Sequence, residues 1–148
     1  PPVAALRKAG VPMAVAASIR HPGRQAVAFV GDGGILMSGN EIATAMQYGA
    51  APIIILSDNK RYGTIGMHHE VRYPNRPYEN AVRLTNPDFA AWARVFGAEG
   101  ITINDESEVE GAIARAFAVK TKPVLVHVHS SALQMSAWRR KGAPRVHG

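Results

Sequence analysis

The 148-residue chain has no cysteine, which excludes disulfides, thiolate metal sites and cysteine nucleophiles together and fits a reducing, cytoplasmic compartment. Long apolar runs are missing too. Stretches such as Ala51–Leu56 fall far short of the roughly 20 residues that span a bilayer, and the N-terminus lacks the basic-then-apolar layout of a signal segment, so no membrane partner is expected. Charge is sparse at 19% of residues and unbalanced, with 17 Lys and Arg against 11 Asp and Glu, a net +6. The basic residues are scattered except for Arg139, Arg140, Lys141 and Arg145; residues 131–148 therefore read as a solvated basic tail rather than a nucleic-acid arm, behind one domain over residues 1–130. Apolar residues make up 47%, and Gly 14 with Pro 10 stays below low-complexity levels, so the chain is long and apolar enough to bury one sizeable core.

What is present is an alternation of strand-length apolar runs with helical patterns. Val11–Ile19 reads as a helix ended by His21-Pro22-Gly23, and Gln25–Val30 as a strand buried on both faces and stopped by Gly31-Asp32-Gly33-Gly34. Ser38-x-x-Glu41 predicts a capping box opening a helix from Gly39 to Tyr48, with Gly49 at its end. Pro52–Ser57 is a second strand, Tyr62–Val71 a helix and Tyr73–Arg83 a long excursion. Asn86-Pro87 starts a helix with Phe89, Trp92, Ala93 and Phe96 on one face. Ile101–Ile103 is a third strand, and Asp105 caps a helix to Lys120 with Val109, Ala112, Ile113, Ala116 and Phe117 inward. Val124–His129 is a fourth strand. Apolar strands alternating with helices predict an α/β fold, a doubly wound, mainly parallel sheet with helices on both faces, whose ligands bind at the carboxyl ends of the strands.

The chemistry gathers at two such ends. Asp32 follows the first strand and Asn59, 27 residues on, follows the second, so a carboxylate and an amide oxygen share one edge of the sheet, where two hard oxygens suit Mg²⁺. Gly31, Gly33 and Gly34 let backbone N–H groups approach an anion, and a helix starting near Ser38 would turn its positive end the same way, so a diphosphate bridged by Mg²⁺ is the natural guest.

These residues, with Gly10-Val11-Pro12, Asn40-Glu41-Ile42, Tyr62-Gly63-Thr64-Ile65 and Leu84-Thr85-Asn86-Pro87, resemble the C-terminal pyrophosphate-binding domain of thiamine-diphosphate-dependent enzymes, in the acetolactate synthase-like branch. The resemblance implies the thiamine-diphosphate-binding fold, here N-terminally truncated. It implies Mg²⁺ held by the side chains of Asp32 and Asn59 and the backbone carbonyl of Arg61. The diphosphate would lie against Gly31, Gly33, Gly34, Tyr62 and Gly63, and a 2-oxo acid against Thr64, Ile65 and His68. Decarboxylation or carboligation follows, as lyase or transferase chemistry. The family usually carries asparagine where this chain has Asp58, and a bulky apolar residue under the thiazolium where this chain has Arg7. No catalytic residue is assigned here: the glutamate that activates the cofactor belongs, in the family, to a pyrimidine-binding domain or subunit, and the intact enzyme is a homo-oligomer. The isolated chain should therefore be inactive.

Two other readings stand beside this one. A catalytically silent cofactor-binding or assembly module fits the missing first strands and Arg7, whereas a haloacid-dehalogenase-like phosphatase needs an Asp-x-Asp nucleophile upstream and an acidic partner soon after the loop, and the chain has neither. His68-His69-Glu70 reads as a solvated helix face, His127 and His129 as a core or edge pair on one strand face, Trp92 and Phe96 as core, and Met37, Met46 and Met67 as gap fillers.

Overall fold

The structure, a computed structural model, describes residues 10–131 apart from Pro74 and Tyr78. The basic cluster Arg139–Arg145, Arg7 and the N-terminal prolines lie outside the described residues.

Four strands, β1 (Val27–Gly31), β2 (Ile53–Asp58), β3 (Glu99–Ile103) and β4 (Val124–His129), form one all-parallel sheet in the order β1-β2-β4-β3. The seven helices described are α1 (Gly10–Arg20), α2 (Asp32–Ser38), α3 (Glu41–Gln47), α4 (Gly63–Arg72), α5 (Glu79–Val82), α6 (Phe89–Val95) and α7 (Val109–Ala118). From β2 the chain steps past the place of β4 to β3 and then back. Right-handed crossovers then put the helices before and after β3 on opposite faces. On one face Val11, Ile35, Ile42, Phe89 and Ala93 of α1, α2, α3 and α6 pack on Val30, Ile54, Leu56 and Leu125. On the other, Ala112 and Ala116 of α7 pack on Ile53, Ile101, Ile103, Val124 and Val126. The apolar parts of β2 and β4, Ile53, Ile54 and Leu56 and Val124–Val126, are thus buried on both faces, as their unbroken apolar runs require.

Local expectations fail where neighbours decide. β1 alternates instead of being buried on both faces: Ala28 and Val30 are inside while Phe29 is 76% exposed, because among the described residues β1 is at the end of the strand order and α7 covers only its distant neighbours. The predicted helix from Gly39 to Tyr48 is α3, which starts two residues later than expected, and a helix that was not expected, α2, precedes it, beginning at Asp32 in the glycine turn itself; α3 is preceded by Asn40 without a side-chain cap, and the Ser38–Glu41 capping box does not form. Pro87 is not in the first turn of α6. Asp88 caps it instead, its carboxylate accepting the Ala91 N–H at 2.9 Å. Before α7 comes a 3₁₀ turn, Glu106–Glu108, where Asp105 and Glu108 make a reciprocal capping box. α7 buries Ala112 and Ala116 but leaves Val109 and Phe117 exposed, because the expected inward stripe is wider than the sheet surface it meets. Met37 is exposed rather than filling the core. Among the described residues no helix is long and apolar enough to cross a membrane.

Candidate functional site

Parallel pairing with Gly31 opposite Ser57 sets the ends of β1 and β2 side by side, and each strand delivers a buried aspartate there, Asp32 and Asp58. Beyond β2 the chain turns sharply through Lys60, whose φ of 55° lies in the left-handed region. That turn is held by Asp58 Oδ1, which accepts the Lys60 N–H at 3.0 Å. The result brings the Arg61 N–H to two acceptors at once, Asp32 Oδ2 and Asn59 Oδ1, each at 3.1 Å. Both side-chain oxygens expected to hold a metal therefore converge on one point of backbone.

The excursion after α4 returns to the same place. Tyr62 donates to the Val82 carbonyl and Leu84 to the Lys60 carbonyl, which brings Asn86 over the strand ends. Its Nδ2 donates to Asp32 Oδ2 at 2.8 Å and to Asp58 Oδ1 at 2.7 Å, bridging the two carboxylates. From β4, His127 Nε2 lies 3.0 Å from Asp58 Oδ2, beneath the ring of Phe89. Asp88 Oδ1 stands 3.8 Å from the other ring nitrogen. Asn86 and His127 are not among the residues that the sequence assigns to the site, and Asp58 enters there as a departure from the family pattern, a turn former or an added negative charge near the metal, of which the turn is seen. The sole local signal was Asn86 before Pro87, which favours extended backbone and ends the excursion there.

The two aspartates experience opposite balances. Burial pushes the Asp32 carboxyl up, and the hydrogen bonds from Asn86, Gly33 and Arg61 only partly offset this, so it sits above the ordinary carboxylate range. Burial also pushes Asp58 up, but the bonds from His127, Asn86 and the Lys60 N–H outweigh it and hold Asp58 below that range. An ionised Asp58 can only accept, so His127 Nε2 carries the proton between them.

Three of the other expected residues, Gly33, Tyr62 and Gly63, have their backbone N–H groups engaged within the chain. Gly33 N–H bonds Asp32 Oδ1 at 2.9 Å, Tyr62 N–H the Val82 carbonyl at 2.8 Å and Gly63 N–H the Arg61 carbonyl at 2.8 Å. A Cβ at Gly33 would come 2.5 Å from the Tyr62 ring, so any larger residue there would have to displace that ring. Gly31 is exposed, and a Cβ there would meet nothing within 4 Å. Thr64, Ile65 and His68 lie on the exposed side of α4. Behind the turn a cleft of about 710 Å³ opens between Asn59, Arg61, Thr85, Asn86 and His129.

The family model described as thiamine pyrophosphate enzyme, C-terminal TPP binding domain, matches residues 8–128. The chain is 34% identical over 120 residues to an acetolactate synthase large subunit of Haemophilus influenzae, covering 81% of this chain and 21% of that protein. It is 30% identical over 125 residues to acetolactate synthase isozyme 2 large subunit of Escherichia coli, covering 84% and 22%. It is also 30% identical over 126 residues to a benzoylformate decarboxylase of Pseudomonas aeruginosa, covering 84% and 23%. The chain thus spans about a fifth of the length of these relatives.

Proposed function

Because this chain belongs to the thiamine pyrophosphate enzymes, as a C-terminal TPP-binding domain, we propose that it binds thiamine diphosphate through Mg²⁺ and serves a 2-oxo acid decarboxylase or carboligase. The Asp32 and Asn59 side chains and the Arg61 carbonyl would hold the ion. The observation that carries this reading is the meeting of Asp32 Oδ2 and Asn59 Oδ1 at the Arg61 N–H, each 3.1 Å away. Hard oxygens, one of them anionic, are what Mg²⁺ selects. Two further features fit the group. Asp32 is 3% exposed and surrounded by the neutral donors of Gly33, Arg61 and Asn86, so a cation would supply the charge compensation those donors do not. Asn86 Oδ1 is buried without a hydrogen-bond partner, an acceptor left over at the same edge.

When bound, thiamine diphosphate supplies a nucleophilic thiazolium carbon and an electron sink for loss of CO₂ from a 2-oxo acid. The chain's share is binding and orientation. Gly31 and Gly34 leave backbone open to the diphosphate, whereas Gly33, Tyr62 and Gly63 would exchange or share the internal bonds their N–H groups now make. Thr64, Ile65 and His68, on the exposed side of α4, would face the substrate, and an altered order of preference among 2-oxo acids in an Ile65→Ala variant is the measure of that role. The proton transfer that activates the cofactor is left to a glutamate on a pyrimidine-binding domain or partner subunit, in a homo-oligomeric enzyme.

Calorimetric titration with thiamine diphosphate, with and without Mg²⁺, tests the reading. Saturable binding that requires Mg²⁺ is expected, with no consumption of pyruvate or benzoylformate by the chain alone. Equal binding in the presence of a chelator, or none under either condition, contradicts it.

A further inference from the structure

His127 and His129 stand two apart on β4 and so share one face of the strand, their rings 4.3 Å apart. The parallel register places Asp58 directly opposite His129. One ligand atom from each of Asp58, His127 and His129 lies within 4.8 Å of the other two. We propose that these three residues form a second metal site, for a borderline transition-metal ion such as Zn²⁺, separate from the hard-oxygen position at Asp32 and Asn59. Two imidazoles and a carboxylate are the ligand set of such ions, and nitrogen ligands disfavour Mg²⁺ and Ca²⁺.

Asp58 already has the outer partners that a metal site needs, and His127 has a carboxylate within a short movement of its far nitrogen. Asp58 Oδ1 is fixed by the Lys60 N–H and by Asn86, which leaves Oδ2 to face the histidines. His127 is 1% exposed; its Nε2 points at Asp58 Oδ2, while its Nδ1 is buried without a hydrogen-bond partner, 3.8 Å from Asp88 Oδ1. A carboxylate behind the far nitrogen of a ligating imidazole is the arrangement that fixes its tautomer. Two donors each about 2.1 Å from one tetrahedral ion stand about 3.4 Å apart. The observed 3.0 Å between Nε2 and Oδ2 needs only a small opening. On binding, the Nε2–H to Oδ2 hydrogen bond gives way to bonds from both atoms to the ion. Nε2 gives its proton to water and Nδ1 takes one up, a change of tautomer with no net release, so the ring stays neutral with its N–H facing Asp88. His129 is exposed and free to turn its ring inward, and together with Asp58 it lines the open cleft of about 710 Å³, which gives an ion and its waters access.

The test is a Zn²⁺ titration of the metal-stripped chain against a chromogenic chelator, in excess Mg²⁺ so that the hard-oxygen position is occupied by its own ion. Co²⁺ absorption in the visible reports coordination geometry in parallel. One equivalent of Zn²⁺ is expected to bind, with a four- or five-coordinate Co²⁺ spectrum. His129→Ala, an exposed position that leaves the core untouched, should weaken the site by about tenfold or more. A variant with both His68 and His69 replaced by alanine should keep it, which separates the site from that surface pair. Absence of saturable binding, a purely octahedral Co²⁺ spectrum, or unchanged affinity in His129→Ala overturns the proposal.

Discussion

On the α7 side of the sheet, Ile101, Ile103, Val124 and Val126 meet Ala112 and Ala116 in a layer built from aliphatic side chains. At the carboxyl ends of β1, β2 and β4 the packing is done by Asp32, Asp58, Asn86 and His127, joined by bonds of 2.7 to 3.0 Å. The first layer is held by area removed from water, which is non-directional and tolerant of exchange among apolar residues. The second is held by individual donors and acceptors, each of which becomes a liability when its partner is removed. Stability should therefore respond to changes in both regions, and cofactor binding to changes in one.

The largest loss of stability is expected in the aliphatic layer. Ile101→Ala, at a fully buried position, should cost about 3 kcal/mol in denaturant unfolding while leaving the cofactor affinity of the folded protein unchanged. A parallel loss of affinity would break the separation of the two regions. Asn86→Ala comes next, at about 2 kcal/mol, because it removes the shared donor between Asp32 and Asp58. Unlike Ile101→Ala, it should also weaken Mg²⁺-dependent binding of thiamine diphosphate.

Asn59→Ala and Arg61→Ala sharpen the comparison within the turn. Loss of the Asn59 oxygen should weaken metal-dependent binding by about tenfold, as expected for one coordinating group of about 1.4 kcal/mol. Arg61→Ala removes the side chain that pairs with Glu79 at 2.8 Å and Glu70 at 3.8 Å but leaves the backbone carbonyl, so stability should fall while the cofactor binding of the folded protein is little changed. Equal damage to binding from both variants would argue against the backbone carbonyl as the Arg61 ligand.

The smallest effect belongs to the cap before α7. Hydrogen bonds from the Ser107 hydroxyl and N–H hold Asp105 below the ordinary carboxylate range, so its contribution is present above that range and is lost as pH falls through the lowered value. Protection of the amides in the first turn of α7 against exchange, taken relative to the intrinsic rate at each pH, should fall in acid. Asp105→Ala should show that lower protection already at neutral pH and lose the acid dependence.

The same contrast explains what could be read in the sequence. β2, β4 and α1 followed from local apolar runs and helical spacing, and Asp32 and Asn59 from their spacing at adjacent strand ends. That β1 stands at the end of the strand order among the described residues was not legible, because strand order is set by contacts that no single window contains. The partners of the two aspartates were hidden for the same reason: Asn86 reaches Asp32 across 54 residues, and His127 reaches Asp58 across 69. Asp58, read as a departure from the family pattern, turns out to hold the Lys60 turn, Asn86 and His127 together. A polar side chain reveals its role only when the fold has brought its partner to it.

The central claim is that Asp32 binds thiamine diphosphate through Mg²⁺. The direct measurement is a calorimetric titration of Asp32→Ala against the parent chain in saturating Mg²⁺, with thermal unfolding of both recorded beside it. The account predicts that the variant remains folded and shows no Mg²⁺-dependent binding of the cofactor. A folded variant that binds as tightly as the parent would contradict it.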